Sequence, residues 1–359
     1  MTVGFGVIGS GYMGRTYAAG LSLGQVPGGR LVAVAGGRRA DGVAREFGVT
    51  AAATIGEVLE RSDVDAVIIA TPHTTHLPIA RAAAAAGKHV FTEKPMAVSV
   101  EDCDAMIAAC RAAGVQLTVN KVLRFREAPR AAKRLIDEGE IGDVRFIQSR
   151  GSWTSFFLQD VVDEAGRVIV PAKPWAMDPA EGSQFLDWGV HACDVLRWFT
   201  GSEAVLAFAR YRTFGTAPPA DLSAMVEYEF SSGVLAQVLM TYELPEPGIE
   251  PADAVFVSGS RGMIDCDQYG RVRLGRGGGW ELIAEQPAFD FLRDYLDPNR
   301  LLAFSAQVQD FAEAVETGRA PAVTGADGRA AVGMVAAADR SAATGEAVRL
   351  AMATMTATQ

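Results

Sequence analysis

Short unbroken apolar runs alternate with longer stretches in which apolar residues recur every three or four positions along the first third of the chain. Runs of the first kind read as strands of a parallel sheet buried on both faces, and stretches of the second as helices packed on it. Strands are expected at 3–8, 31–35, 65–70, 89–92 and 116–119, and helices at 12–23, 78–86 and 100–113. Punctuation agrees with this reading. Thr54-Ile-Gly-Glu57 has the form of a capping box, Ser99 stands where an N-cap belongs, and Gly87 and Gly114 follow helix ends. The β-α-β rhythm predicts an α/β domain with a doubly wound parallel sheet over residues 1–122.

Beyond residue 125 the rhythm changes. A helix at 129–138 and a strand at 144–152 precede an irregular stretch from 153 to 181 and a helix over 184–199. Consecutive strand-like runs follow at 205–211, 223–230, 234–242, 254–258 and 272–274, joined by turns such as Ser231-Ser-Gly233. Strands in succession predict a mainly antiparallel sheet, hence a second domain of α+β type over 123–359. Late helices at 304–316 and 328–344 would pack on either domain.

The 184–199 helix carries the densest candidate chemistry. At 100° per residue, Asp187, His191 and Asp194 fall within about 60° of one another, opposite Phe185, Ala192, Leu196 and Phe199. Ser183 is its expected N-cap and Gly201 its stop. The competing reading is an amphipathic helix whose polar face meets solvent.

Totals narrow the class. A length of 359 residues suggests two domains, and a net charge of −10 argues against nucleic-acid and anionic-membrane partners. The opening residues have no basic segment before their apolar run, and no apolar stretch is long enough to span a bilayer. The four cysteines, 103, 110, 193 and 266, form neither a Cys-x-x-Cys pair nor a disulfide framework, and with four histidines they give no metal-ligand spacing. A cytoplasmic enzyme without a metal is expected.

The strand at 3–8 runs directly into Gly9-Ser10-Gly11-Tyr12-Met13-Gly14 and a helix. In that context a G-x-G-x-x-G match has a mechanism: tight turn, backbone approach to a diphosphate, and close helix packing, with the anion on the helix N-terminus. At the end of the second strand, where an NAD site usually places a carboxylate, the chain reads Gly36-Gly37-Arg38-Arg39. Two guanidiniums there suit a 2′-phosphate, so NADP(H) is favoured over NAD(H). Further strand ends, at Thr71-Pro72, Glu93-Lys94-Pro95 and Asn120, are expected on the ligand side of the sheet.

Together, the glycine turn, Glu93-Lys94-Pro95, Arg124-Phe125, Gly139-Glu-Ile-Gly-Asp143, Gly182 with Asp187-x-x-x-His191, and Gly325-Ala-Asp-Gly-Arg329 resemble the glucose-fructose oxidoreductase, inositol dehydrogenase and rhizopine-catabolism (Gfo/Idh/MocA) family over nearly the whole chain. The resemblance implies a Rossmann domain, a nicotinamide cofactor, sugar or polyol substrates, and a C-terminal sheet that makes homodimers or homotetramers. It places the catalytic lysine on Lys94, the aspartate on Asp187 and the histidine on His191. Cofactor contacts carried over with them are Gly9 to Gly14, Arg38, Arg39, Thr71, Pro72, His76, Glu93 and Lys94. His73 stands where such proteins commonly have Asn, and the chance that the Lys94-Pro95 bond is cis is raised. Arg124 is the implied substrate contact, with Trp153 and Trp175 as aromatic residues near the expected mouth and Asp194 behind the catalytic pair. The same residues would serve a glycosidase working through transient oxidation. A silent cofactor-sensing regulator would not need all three of Lys94, Asp187 and His191.

Overall fold

The computed structural model describes residues 2–154, 161–162, 168–170, 178–215, 221–290 and 294–350. Trp175 lies outside them. In chain order the first elements are β1 (Val3–Ile8), α1 (Tyr12–Ser22), β2 (Gly29–Ala35), α2 (Ala40–Phe47), β3 (Thr50–Ala51), α3 (Ile55–Glu60), β4 (Ala66–Ile69), α4 (His76–Ala85), β5 (His89–Thr92), α5 (Val100–Ala112) and β6 (Leu117–Val119). There follow α6 (Glu127–Asp137), β7 (Val144–Ser152), β8 (Val161–Val162), β9 (Val168–Val170) and α7 (Gln184–Thr200). The rest are β10 (Ala204–Arg212), β11 (Ser223–Phe230), β12 (Leu235–Thr241), β13 (Asp253–Gly259), β14 (Met263–Asp267), β15 (Arg271–Arg276), β16 (Gly279–Glu285), α8 (Pro298–Thr317), α9 (Gly325–Thr344) and β17 (Val348–Arg349).

These elements form two compact units. One comprises residues 1–126, 156–182 and 287–332. Its sheet has six parallel strands in the order β3-β2-β1-β4-β5-β6, the doubly wound arrangement expected from the apolar runs. The strand order reverses direction at β1, which puts the glycine turn at the switch point where such sheets take ligands. Strands β1 and β4 are buried at every residue, as a sheet covered on both faces requires. The core is aromatic: Tyr17 meets Phe91 edge-on with centroids 5.3 Å apart, and Phe311 of α8 meets Phe91 at 5.9 Å and Phe5 at 6.4 Å. Each such ring contributes about 1.5–3 kcal/mol by leaving water. Caps work as the sequence implies, with the Thr54 hydroxyl accepting from Glu57 N–H at 3.2 Å and the Ser99 hydroxyl from Asp102 N–H at 3.1 Å.

The other unit comprises residues 127–155, 183–286 and 333–359. Its nine strands run β16-β15-β14-β13-β7-β12-β11-β10-β17, antiparallel throughout except for the parallel neighbours β7 and β12. Helix α7 packs on β7 and β12, and α6 on β14 to β16. Strand β11 shows the resulting alternation: Ala224, Val226, Tyr228 and Phe230 are buried, whereas Met225, Glu227 and Glu229 are exposed.

Several elements depart from the sequence reading. The stretch taken as irregular holds the β8-β9 ladder. Strands β14 and β16 and helix α2 were not expected, because Asp265 and Asp267 interrupt the first, the second is an edge strand with little burial, and the third is one short amphipathic turn pair. Helix α7 matches its expected span, and its polar side is not the solvated face of the competing reading: Asp187 and His191 are half-buried. Asp194 is buried, as are Trp188, Val190 and Cys193 around the rest of the circumference. Among the described residues, no helix is long and apolar enough to cross a membrane.

The glycine turn is the tightest backbone packing in the first unit. Gly9 adopts φ +114°, and a Cβ built on Gly14 would stand 1.8 Å from the Gly9 carbonyl oxygen. No side-chain rotation relieves a clash with backbone. Gly14→Ala is therefore expected to lower stability by about 1–3 kcal/mol, read as a fall in the urea midpoint.

Candidate active site

At the head of α1 the chain builds a cradle from backbone alone. Gly11 is the N-cap, no side chain caps the first turn, and a Cβ on Gly11 would meet no atom within 4 Å. The leading N–H groups of α1 thus face open space at the end of β1, with the helix dipole adding positive potential. Ser10 is buried and its hydroxyl accepts from Arg39 N–H at 3.2 Å, which ties the glycine turn to the turn after β2. Gly36 and Gly37 carry φ of +78° and +77° there, and the side chains of Arg38 and Arg39 are exposed. The Tyr12 ring meets the tilted Tyr295 ring at 5.0 Å, with the Arg300 guanidinium over Tyr12 at 4.7 Å, and Met13 packs on the core. These residues fit a dinucleotide: an uncapped helix start for its diphosphate and two cations at the adjoining strand end.

Two further strand ends are stiffened by buried hydrogen bonds. After β4, Thr71 and Pro72 are half-buried, and the buried His76 ring bridges Thr71 O at 2.9 Å and Pro95 O at 3.0 Å. Burial holds the His76 imidazole below its ordinary pKa, against the opposing pull of those two carbonyls, so the neutral ring donates to one of them at neutral pH. His73 lies buried 3.0 Å from the Glu181 carbonyl oxygen, while the Glu181 carboxylate accepts from Thr74 N–H at 3.1 Å and Thr74 hydroxyl at 2.6 Å.

After β5, Glu93 is a buried carboxylate surrounded by donors. Tyr17 donates at 2.5 Å, Asn120 Nδ2 at 2.9 and 3.1 Å, and the Lys94 N–H at 3.0 Å. Three protein groups thereby hold the acid and, through it, the backbone from which the half-buried Lys94 side chain springs. The Lys94-Pro95 bond is cis. Sequence reasoning had singled out Glu93 and the strand end at Asn120 but missed Tyr17, whose only signal was a tyrosine one turn past Gly14. Arg124 pairs with Asp327 at 3.0 Å, and Asp327 also accepts from Thr324 N–H and hydroxyl at 2.9 Å each.

In the second unit, Asp187 and His191 sit one turn apart on α7, both half-buried. Trp188 and Trp153 donate from their indole nitrogens to the two oxygens of Asp253, each at 3.2 Å. The Trp153 ring stacks on Tyr242 at 5.0 Å and meets Trp188 edge-on at 5.1 Å, so it is built into the wall beside Asp187. Burial raises the Tyr242 phenol pKa well above its ordinary value, and the charges of Asp187, Asp253 and Asp221 raise it further. The group around Asp187 is thus acidic and aromatic, and Asp253, Tyr242 and Asp221 were not foreseen because their strands lie far away in sequence.

Known proteins bear on both units. A family model for oxidoreductases with an NAD-binding Rossmann fold matches residues 3–121, and one for a GFO/IDH/MocA C-terminal domain matches 130–265. The chain is 30% identical to scyllo-inositol 2-dehydrogenase (NAD(+)) of Bacillus subtilis, with 89% of this chain and 88% of the relative covered. It is 29% identical to 1,5-anhydro-D-fructose reductase of Ensifer adhaerens, over 96% and 98% of the two chains. The crystal structure of aldose-aldose oxidoreductase from Caulobacter crescentus, complexed with glycerol, superposes with a TM-score of 0.80 at 27% identity, covering 98% of this chain and all of that one.

Proposed function

Because the chain belongs to the GFO/IDH/MocA oxidoreductase family, with both the NAD-binding Rossmann domain and the C-terminal domain present, we propose that it transfers a hydride between a nicotinamide and a secondary alcohol or ketone of a sugar, an inositol or a related polyol. The observation that carries this reading is the uncapped start of α1, with open space over Gly11 at the sheet's switch point. Relatives that act on scyllo-inositol and on 1,5-anhydro-D-fructose support the substrate class.

The residues divide the work. Gly9 to Gly14 would hold the diphosphate of a bound dinucleotide, and Thr71, Pro72, His76 and Glu93 would hold its nicotinamide half. A bound nicotinamide supplies the hydride acceptor in oxidation and the donor in reduction. Lys94 donates a hydrogen bond to the reacting oxygen and stabilises its developing negative charge. His191 takes the hydroxyl proton in oxidation and returns it in reduction, its ordinary pKa lying near working pH. Asp187 orients the imidazole or a neighbouring substrate hydroxyl. Arg124, Trp153 and Trp175 are assigned to the substrate side.

NADP(H) is the preferred cofactor in this reading. The Gly36 to Arg39 turn offers no carboxylate to a ribose 2′-hydroxyl, and the exposed Arg38 and Arg39 guanidiniums suit a phosphate. The chain also works as a homo-oligomer through the open face of the nine-stranded sheet. Met225, Leu235, Met263 and Leu282 stand out from that face at 38–56% exposure, more apolar surface than an isolated sheet leaves to water.

Three measurements check these assignments. A panel of inositols, aldoses and keto sugars followed at 340 nm with both cofactors should find turnover, and His191→Ala should lower kcat by about 10²-fold or more on the best of them. Near wild-type activity in that variant removes His191 from the mechanism. Replacing Arg38 and Arg39 together by Ala should weaken NADPH binding by at least about tenfold while NADH changes little, and equal losses refute the phosphate clamp. Light scattering should give a multiple of the single-chain mass for the wild type, falling to one chain when Met225 and Leu235 are both changed to Lys.

A further inference from the structure

The start of α7 is held by two carboxylates that the scheme above does not use. Asp339, on α9 in the same unit, accepts at Oδ1 from the Tyr211 hydroxyl at 2.9 Å and from the Ser183 hydroxyl at 3.0 Å, with Oδ2 3.1 Å from the same serine oxygen. Ser183 is the N-cap of α7, and its oxygen accepts in turn from Leu186 N–H at 3.0 Å. One residue on, Gln184 N–H donates to Asp221 at 2.6 Å. A serine hydroxyl has one proton and two lone pairs. With the proton committed to Asp339, a lone pair is directed at the helix, so the acid decides how the cap is oriented.

We propose that Asp339 is a positioning residue for hydride transfer: by orienting Ser183 it fixes the first turn of α7, and with it the Asp187 carboxylate and the His191 imidazole. The proposal rests on the reading of His191 as acid and base.

Asp339 lies among other polar and titratable groups. Facing it are Ser183 at the head of α7, Tyr211 of β10 and Asp221 ahead of β11, with Tyr228 of β11 and Cys193 of α7 next to them, and its chain neighbour Arg340 is exposed. Burial pushes the Asp339 carboxyl up to about 6; the Tyr211 and Ser183 hydroxyls pull against this and the Asp221 charge adds to it. The folded value therefore lies above that of the unfolded chain, so this group makes the fold less stable above about pH 6, and stability rises as pH falls from there toward about 4.

The test uses full-length variants with the best substrate of the polyol panel. Asp339→Ala and Ser183→Ala should each lower kcat by about tenfold or more, with NADPH affinity by fluorescence within about twofold of wild type. Because one acts through the other, the double variant should lose no more than the worse single one. Asp339→Asn keeps the shape and an acceptor oxygen, so it should hold kcat within about threefold of wild type, melt higher than wild type at pH 8, and lose that advantage near pH 5. Should Asp339→Ala not fold, Asp339→Leu, which keeps the bulk but has no acceptor, takes its place: alone it should lower kcat by about tenfold or more, and it should add nothing to Ser183→Ala. Fully multiplicative losses in the cycle, or wild-type kcat in both single variants while His191→Ala is inactive, overturn the proposal. An active His191→Ala overturns the underlying reading instead.

Discussion

Everything at the nucleotide end depends on backbone approaching backbone more closely than any side chain allows. At Gly9 a Cβ would lie 2.2 Å from the Ala70 carbonyl oxygen, and at Gly14 one would lie 1.8 Å from that of Gly9. The ends of β1 and β4 and the head of α1 therefore converge on a volume that only hydrogens can share. That crowding holds the uncapped N–H groups of α1 in place, and among the described residues nothing stands within 4 Å of where a Gly11 Cβ would lie. A looser turn would leave the same peptide dipoles without a common direction.

The candidate site follows a second rule, that acids are placed where burial or a donor gives them a defined job. Glu93 is satisfied by Tyr17, Asn120 and the Lys94 N–H, and serves as scaffold for the lysine. Asp253 is held by two indoles. Asp339 and Asp221 grip the head of α7. Each anion meets N–H or O–H groups, which hold geometry without neutralising charge.

Local and periodic features were legible in the sequence. Short apolar runs located β1 and β5 to the residue, and Ser183 with Gly201 bracketed α7 because caps are chosen by their immediate neighbours. Membership of the GFO/IDH/MocA family was legible too, since its motifs are contiguous. What escaped were features made by distant strands. The parallel pairing of β7 with β12 joins segments some ninety residues apart, and the groups around Asp187 come from strands that local pattern located but could not bring together. A helical wheel gives the direction of a side chain but not what lies there, and so the sequence left the polar side of α7 open between a site and a solvated face, whereas the structure half-buries Asp187 and His191 and buries Asp194.

The aromatic core of the first unit carries a consequence for synthesis. Phe5, Tyr17 and Phe91 leave the ribosome early, but Phe304, Val308 and Phe311, which complete their cluster, belong to α8 near the other end of the chain. Until roughly five-sixths of the polypeptide has emerged, the nascent sheet exposes an oily flank that its own later residues must cover. The cluster is thus completed only after residues 127–155 and 183–286 of the other unit have been made.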